Sequence, residues 1–369
     1  MRILHILNEV PDVGNGIVNA AIDLAAGQAE QGHVVAIASA GGGHEELLRR
    51  LGIQHLPLDQ THRPMQLMRA VFTLRRYVRD FQPDIVHTYL LTGILLGWLV
   101  TRFTRHPLVA HVQNVHERKF AIMRLADRVI VCSEAVGRTM QELGIPEAKI
   151  RVVHNAPLQS PRLPPLSSIP VASIEHPAIV TVCGMNHRKG IADLISAFEQ
   201  AALEIPDAHL YLVGDGPEKG IFQQHANACH FGNRIHFEGF NDSPQSYMQS
   251  ADIFVLASRR EAFGLVLVEA RQVGCAIIAS DVDGIPEALD HGAAGILFPP
   301  SDIPALAGHL IRLLKDDLER KAWQQKALLG AERFHYSTMA RGVYDVYLEL
   351  LQREPDSHIN PSEAATMKN

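Results

Sequence analysis

Ile253-Phe254-Val255-Leu256-Ala257-Ser258-Arg259-Arg260-Glu261-Ala262-Phe263-Gly264-Leu265-Val266-Leu267-Val268-Glu269-Ala270 is the stretch that decides the fold. The apolar run Ile253 to Ala257 reads as a buried strand, and the polar residues after it end the run. Gly264 then opens a helix. A strand that feeds a helix through a short loop belongs to a parallel sheet, whose crossovers need helices. The spacing places Glu261 in the loop and Glu269 about two turns into the helix, so both carboxylates can face one cleft. Each can accept two hydroxyl hydrogen bonds, which suits sugar hydroxyls. Free backbone N–H groups near Phe263, Gly264 and Leu265 suit a phosphate.

The same unit recurs on either side. Upstream come strand-like Ala178 to Val182, a helix from about Ile191, and strands His209 to Val213 and Arg234 to Phe237. Downstream come strand Ala276 to Ser280, a helix over Leu306 to Leu314, and one or two helices over Lys321 to Arg353 with aromatic anchors. The first half opens with strand Ile3 to Leu7, a Gly14-Asn15-Gly16 turn, a helix from Ile17 to about Gln31, and a strand from His33. Strands follow at Asp84 to His87, Pro107 to Ala110, Arg128 to Cys132 and Arg151 to His154. Between the halves, Ser160 to Pro177 is dense in Pro and Ser and holds neither a regular helix nor a central strand. This pattern predicts an α/β protein of two doubly wound, Rossmann-like domains facing across a cleft, with ligands beyond the carboxyl ends of the strands. The expected boundaries are 1–160, a linker 161–177, and 178–335. A terminal helix 336–354 returns to the first domain, and a disordered tail covers 355–369.

A chain of 369 residues with 47% apolar and 20% charged residues fits two packed domains. Its four cysteines form no CxxC pair, which argues against a disulfide scaffold or zinc site and fits a reducing cytosol. The opening MRILHILNEVPDVG lacks the long apolar core of a signal peptide and reads as a first strand. The most apolar helix candidate, Leu90 to Val100, is shorter than the ~20 residues a bilayer span needs. Net charge is −6, which disfavours a nucleic-acid partner. The charge is uneven: residues 1–165 carry 18 Lys and Arg against 14 Asp and Glu, and the remainder carries 16 against 26. A basic first half suits an anionic acceptor or membrane surface.

The stretch Glu261 to Ala270 resembles the E-x7-E element of the family-four retaining glycosyltransferases of GT-B fold. Val182-Cys183-Gly184-Met185-Asn186-His187-Arg188-Lys189-Gly190 is similar to that family's G-x-x-x-x-K-G loop, and Val213-Gly214-Asp215-Gly216 to its V-G-x-G loop. His236 to Phe240 resembles the strand end near the base. Asp283-Gly284-Ile285-Pro286-Glu287 matches the loop usually read G-G-x-P-E. Ala126 to Glu134 and Val152-Val153-His154-Asn155 are also similar, so the likeness runs over roughly residues 3 to 350. The resemblance implies a GT-B fold and roles for matching positions. Glu261 would bond hydroxyls of the transferred sugar, and Glu269 the ribose. Lys189 and the backbone around Phe263, Gly264 and Leu265 would hold the diphosphate, and Gly16 would let backbone approach it from across the cleft. Positive charge at the leaving diphosphate is what the chemistry requires. The resemblance implies a metal-independent enzyme without a cofactor, the nucleotide sugar being a substrate.

Two departures matter. Many members place an Arg directly after the Gly at position 184, where this chain has Met185. Arg188 is the nearest substitute, with Arg259 and Arg260 as alternatives. Many also have a His near the reaction centre where Gln113 aligns, so that role falls to His116 or is reduced to a sugar contact by Gln113. His87 and His111 read as satisfied sheet histidines. On the acceptor side, Leu67, Val71, Leu74, Val78 and Phe81 share one helical face, while Arg69, Arg75, Arg76 and Arg79 lie on another. The expectation is therefore a hexosyltransferase acting on a glycan or lipid-linked acceptor in cell-surface polysaccharide or glycolipid synthesis. UDP-sugar is the favoured donor and GDP-mannose the next. It would be cytoplasmic, with peripheral contact at the inner face of the anionic membrane. The alternative is a nucleotide-sugar-binding protein of the same fold with impaired catalysis.

Overall fold

The computed structural model describes residues 1–12, 14–104, 106–114 and 118–352. The expected tail 355–369 lies outside them. The first sheet contains β1 (Arg2–Ile6), β2 (Val34–Ser39), β3 (Gln54–Pro57), β4 (Ile85–Thr88), β5 (Leu108–Val112), β6 (Arg128–Val131) and β7 (Ile150–Val152). The second contains β8 (Ala178–Val182), β9 (His209–Val213), β10 (Ile235–Gly239), β11 (Ile253–Leu256), β12 (Ala276–Ser280) and β13 (Ile296–Phe298). All pairings are parallel, in the orders β3-β2-β1-β4-β5-β6-β7 and β10-β9-β8-β11-β12-β13.

Strands such as β5, β8 and β12 are buried along their whole length because helices cover both faces of each sheet. Two strands differ from the sequence expectation. β3 (Gln-His-Leu-Pro) and the three-residue β13 are not among the strands expected from sequence. Both are edge strands, where a short segment pairs on one side only and needs no long apolar run.

Each sheet reverses its winding once, between β1 and β4 and between β8 and β11. A crevice opens at such a switch point, beyond the carboxyl ends of the strands. The Gly14–Gly16 turn follows β1, the Lys189 loop follows β8, and the Glu261 loop follows β11.

The last helix, Tyr336–Leu351, lies against helix Gly16–Glu30 of the first sheet. Tyr336 Oη donates to Glu30 at 2.6 Å, and Gln28 Nε2 donates to Tyr347 Oη at 3.2 Å. Tyr347 Oη also bonds His87 Nδ1 at 2.5 Å, and His5 bridges Gln28 (2.7 Å) and Tyr89 (3.0 Å). Burial pushes the pKa of His5 down to about 4 and that of His111 to about 3, and His87 also lies well below its ordinary value. All three rings are neutral at physiological pH. His87 and His111 are not the fully satisfied sheet histidines expected from sequence: His87 Nε2 and His111 Nδ1 have no hydrogen-bond partner among the described residues.

The two sheets meet through a small polar clamp. Ser133 caps helix Glu134–Glu142 by accepting from Val136 N, and its hydroxyl donates to the Ala262 carbonyl at 2.7 Å. Glu287 takes the next free amides of that helix, Glu134 N (2.8 Å) and Ala135 N (3.1 Å), and bonds His154 Nε2 at 3.0 Å. A carboxylate at a helix N-terminus meets both unpaired N–H groups and the positive end of the dipole. Burial disfavours the Glu287 charge. The bonds from His154 and the two amides outweigh it and hold the pKa below the ordinary carboxylate value.

Glu287→Gln removes one acceptor and the charge, and should lower stability at neutral pH by about 2 kcal/mol. The group is charged in the fold down to lower pH than in the unfolded chain. Its contribution is therefore present at neutral pH and lost as pH falls through its depressed pKa. Melting curves of the variant and the wild type should converge in acid. Equal melting temperatures at pH 7 would show that the clamp carries no stability.

Candidate functional site

Beyond β8 the chain makes a 3-10 turn, His187–Lys189, and ends it at Gly190 with φ of 65°. A Cβ on Gly190 would lie 1.9 Å from the Ala257 carbonyl oxygen, so only glycine lets this turn rest on the end of β11. That seat brings Lys189 to Glu261, where Nζ donates to Oε2 in a short, partly buried ion pair. Ser258 Oγ is 3.4 Å from the same carboxylate oxygen.

The three candidate arginines are placed differently. Arg259 grips Asp193 with two bonds, at 2.9 and 2.7 Å, and Arg260 Nε donates to Asp283 at 2.8 Å. Arg188 donates to the Arg260 carbonyl at 3.3 Å and forms no ion pair among the described residues.

Gly264, with φ of 88°, starts helix Leu265–Gln272, and no side chain caps it. Phe263 is buried with its ring 5.4 Å from that of His154 and 5.9 Å from that of Phe334, so only its backbone faces the cleft chemistry. From the first sheet, the Asn15 side chain accepts from Ile17 N and Val18 N and caps helix Gly16–Glu30. A Cβ on Gly16 would lie 3.7 Å from Leu265 Cδ1, and one on Gly14 would lie 3.6 Å from Phe240. The cleft thus brings Gly16, Gly264, Leu265, Lys189 and Glu261 together, with the starts of two helices at its centre.

Glu269 is the fifth residue of its helix, a little over one turn in rather than two. It is buried and accepts from Gln245 Nε2 at 3.3 Å. Burial raises its pKa to about 7, Arg162 counteracts this, and Asp23 adds to it. Arg162 is itself bound to Asp23 through Nε (3.0 Å) and Nη2 (3.2 Å), with Ser160 Oγ on the same carboxylate. Sequence reasoning missed Arg162, Asp23 and Gln245. A charge inside a Pro-rich linker, an acid within an apolar helix and an isolated Gln carry no local signal.

Gln113 is buried and uses its amide inside the protein: Nε2 bonds His111 Nε2 at 2.9 Å, and Oε1 accepts from Asn155 Nδ2 at 2.5 Å. His116 lies outside the described residues. Among the described residues, no group of three His, Cys, Asp or Glu side chains is arranged to hold a metal ion.

Two Rossmann-like domains with a polar site between their facing switch points define the GT-B architecture. Residues 171–329 match the family described as Glycosyl transferases group 1, and residues 14–156 match Glycosyltransferase Family 4. The chain belongs to the family-four glycosyltransferases. It is 31% identical over 182 residues to an N-acetyl-alpha-D-glucosaminyl L-malate synthase of Bacillus anthracis, a match covering 49% of this chain and 48% of the relative. The chain thus spans about half the length of that relative. A lipopolysaccharide core biosynthesis glycosyltransferase, LpsD, of Rhizobium meliloti is 27% identical over 296 residues, 76% of this chain and 78% of the relative. Among solved structures, Anabaena Alr3699/HepE in complex with UDP superposes with a TM-score of 0.80 at 21% identity, covering 95% of this chain and 100% of that one.

The Glu269 environment gives a pH signature. The folded state keeps this proton up to about pH 7, whereas a free Glu releases it near 4.5. Stability therefore falls as pH rises through that window, by on the order of 3 kcal/mol in total. Glu269→Gln, an uncharged mimic, should lack this decline, so the variant gains on the wild type between about pH 5 and 8. Parallel stability–pH curves would show that the carboxyl is not perturbed.

Proposed function

We propose that the protein is a retaining glycosyltransferase that moves a hexosyl unit from a nucleoside diphosphate sugar to a glycan or lipid-linked acceptor. The observation that carries this reading is the Lys189–Glu261 pair at the mouth of the uncapped helix Leu265–Gln272, opposite the Gly16 turn. A diphosphate seated there meets the Lys189 ammonium, the Arg188 guanidinium and first-turn amides of helices from both domains. Charge develops on the leaving phosphate as the glycosidic bond breaks, and preorganised donors stabilise it most in the transition state. Lys189 then turns from Glu261 to the phosphate, which frees the carboxylate to accept hydroxyl bonds from the transferred sugar. Glu269 accepts the ribose hydroxyls. The acceptor hydroxyl attacks the front face of the sugar and loses its proton to the departing phosphate, which retains configuration without an enzyme nucleophile. These groups supply the charge, so the mechanism uses no metal and no cofactor.

UDP-sugar is the favoured donor and GDP-mannose the next. The HepE structure contains UDP, and LpsD acts in lipopolysaccharide core biosynthesis, which supports a role in cell-surface polysaccharide or glycolipid synthesis. On the acceptor side, helix Pro64–Phe81 buries Ala70, Leu74, Val78 and Phe81. It exposes Arg69, Arg75, Arg76 and Arg79 beside the apolar Met65, Met68 and Phe72. An exposed face of cations and large apolar side chains suits an anionic lipid surface, which supports peripheral contact at the inner face of the cytoplasmic membrane. No helix among the described residues is long and apolar enough to cross a bilayer.

A panel of nucleotides and nucleotide sugars should raise the melting temperature selectively, since a ligand that binds only the folded state stabilises it. The matching donor should be hydrolysed slowly without acceptor. Glu261→Ala and Lys189→Ala should each lower turnover by about 10²-fold or more with the fold intact. Glu269→Ala should mainly weaken nucleotide binding. Binding without turnover in the presence of acceptors would instead support the catalytically impaired binder, and near-wild-type turnover by Glu261→Ala would refute the site. Sedimentation with phosphatidylglycerol vesicles, and not with phosphatidylcholine vesicles, should be lost when Arg69, Arg75 and Arg76 are changed to Glu. Equal sedimentation of that variant would remove the membrane from the proposal.

A further inference from the structure

The loop that usually reads G-G-x-P-E carries an acid in its first position here, Asp283. Its φ is 47°, in the left-handed region, where a side chain costs about 1–2 kcal/mol relative to glycine. Asp is among the few residues that visit this region, and the side chain it brings has a definite task. Asp283 Oδ2 accepts from the Glu261 backbone N–H at 3.0 Å and from Arg260 Nε at 2.8 Å. The next residue completes the grip: Gly284 N donates to the Glu261 carbonyl at 3.0 Å. A Cβ on Gly284 would lie 2.1 Å from the Ala262 carbonyl oxygen, so the second position of the loop admits only glycine while the first does not require it. Both peptide groups flanking the Glu261 side chain are thus fixed from one loop, and one of the two fixing groups is a side chain that a glycine in this position would not supply.

We propose that Asp283 is a positioning residue that sets the Glu261 carboxylate for the sugar, and that its left-handed backbone is retained for that purpose. The proposal rests on the assignment of Glu261 to the transferred sugar. The loop Ser258–Gly264 has no regular secondary structure to hold it, so losing the carboxylate frees the Glu261 N–H and releases Arg260. A displacement of about 1 Å at a group that must meet a reacting sugar can cost on the order of 10²-fold in rate. Asp283 bonds Glu261 and Arg260 and not Glu269 or Lys189, the groups assigned to ribose and diphosphate.

Two substitutions separate positioning from mere stability. Asp283→Gly suits the backbone and deletes the acceptor. Asp283→Asn keeps an acceptor oxygen and tolerates the same backbone. Asp283→Gly should keep a melting temperature within a few degrees of wild type and bind UDP unchanged, yet exchange the Glu261 amide hydrogen at least about tenfold faster. It should also lose most of the extra affinity of UDP-glucose (or GDP-mannose, whichever the wild type holds) over the free nucleotide, and lower donor turnover at least about tenfold. Asp283→Asn should stay within about threefold of wild type in all of these. Wild-type exchange and turnover in Asp283→Gly would overturn the proposal, as would an Asn variant as impaired as the Gly variant. If neither sugar nucleotide binds the wild type more tightly than its free nucleotide, the assignment of Glu261 to the sugar has failed and this inference falls with it. If that increment is present and Asp283→Gly leaves it unchanged, only the role of Asp283 has failed.

Discussion

The backbone of Ser258–Gly264 must leave a buried strand and cross the end of a sheet without making a hydrogen-bonded ladder of its own. Its buried peptide groups still need partners, since an unmet one costs about as much as a lost hydrogen bond. The partners come from several other segments of the chain. Ser280 Oγ donates to the Ser258 carbonyl, Arg259 N donates to the Arg188 carbonyl, and the Asp283–Gly284 corner takes both sides of Glu261. Ser133, from the other domain, donates to Ala262. The Lys189 loop, the Asp283 loop and the Ser133 turn converge here because each closes a polar group of this segment. The two glycines that approach it most closely, Gly190 and Gly284, mark where a neighbouring backbone must come within contact of its carbonyls.

The same constraint joins the domains. Ser133 and Glu287 form a reciprocal exchange: the first domain supplies a helix N-terminus and the second a carboxylate, while the second supplies a carbonyl and the first a hydroxyl. His154 adds both a hydrogen bond to Glu287 and a ring packed on Phe263, two residues beyond Glu261. The relative seat of the domains is therefore read directly by the loop that carries Glu261. Helix Tyr336–Leu351 extends this coupling, because the chain that completes the second sheet ends packed on the first and is fastened there through Tyr336 and Tyr347.

Much of this was legible in the sequence for a physical reason. Fully buried parallel strands must be apolar runs, so β1, β8, β11 and β12 stand out, and loops that meet a phosphate or a close backbone need glycine at fixed places. The strand-to-helix break marks Glu261 and Glu269, and the roles of those acids and of Lys189 come from motifs that resemble the family's. Edge strands β3 and β13 do not stand out: β3 is largely exposed and carries no apolar run, and β13 is only three residues long. Nor do long-range partners. Nothing near Arg259 or Arg260 in sequence says that Asp193 and Asp283 neutralise them, and nothing near Gln113 says that Asn155 and His111 occupy its amide. These depend on which strand ends lie side by side, which only the sheet order determines.

The two buried carboxylates Asp23 and Glu269 show how such partners separate a structural acid from a binding one. Both lie near Arg162, and burial raises the pKa of each. The guanidinium is geometrically committed to Asp23 by two hydrogen bonds, and Ser160 supplies a third donor. Glu269 receives only longer-range attraction and, among the described residues, one N–H from Gln245, whose own carbonyl oxygen has no partner. Two neighbouring acceptors are therefore short of donors in the wall of the cleft. Under the proposed function, adjacent hydroxyls of a ribose would supply what is missing, and their hydrogen bonds would favour the ionised carboxylate over the neutral acid. In the proposed complex, nucleotide binding would therefore favour release of the Glu269 proton, whereas Asp23, already held by Arg162 and Ser160, fastens the first helix to the linker.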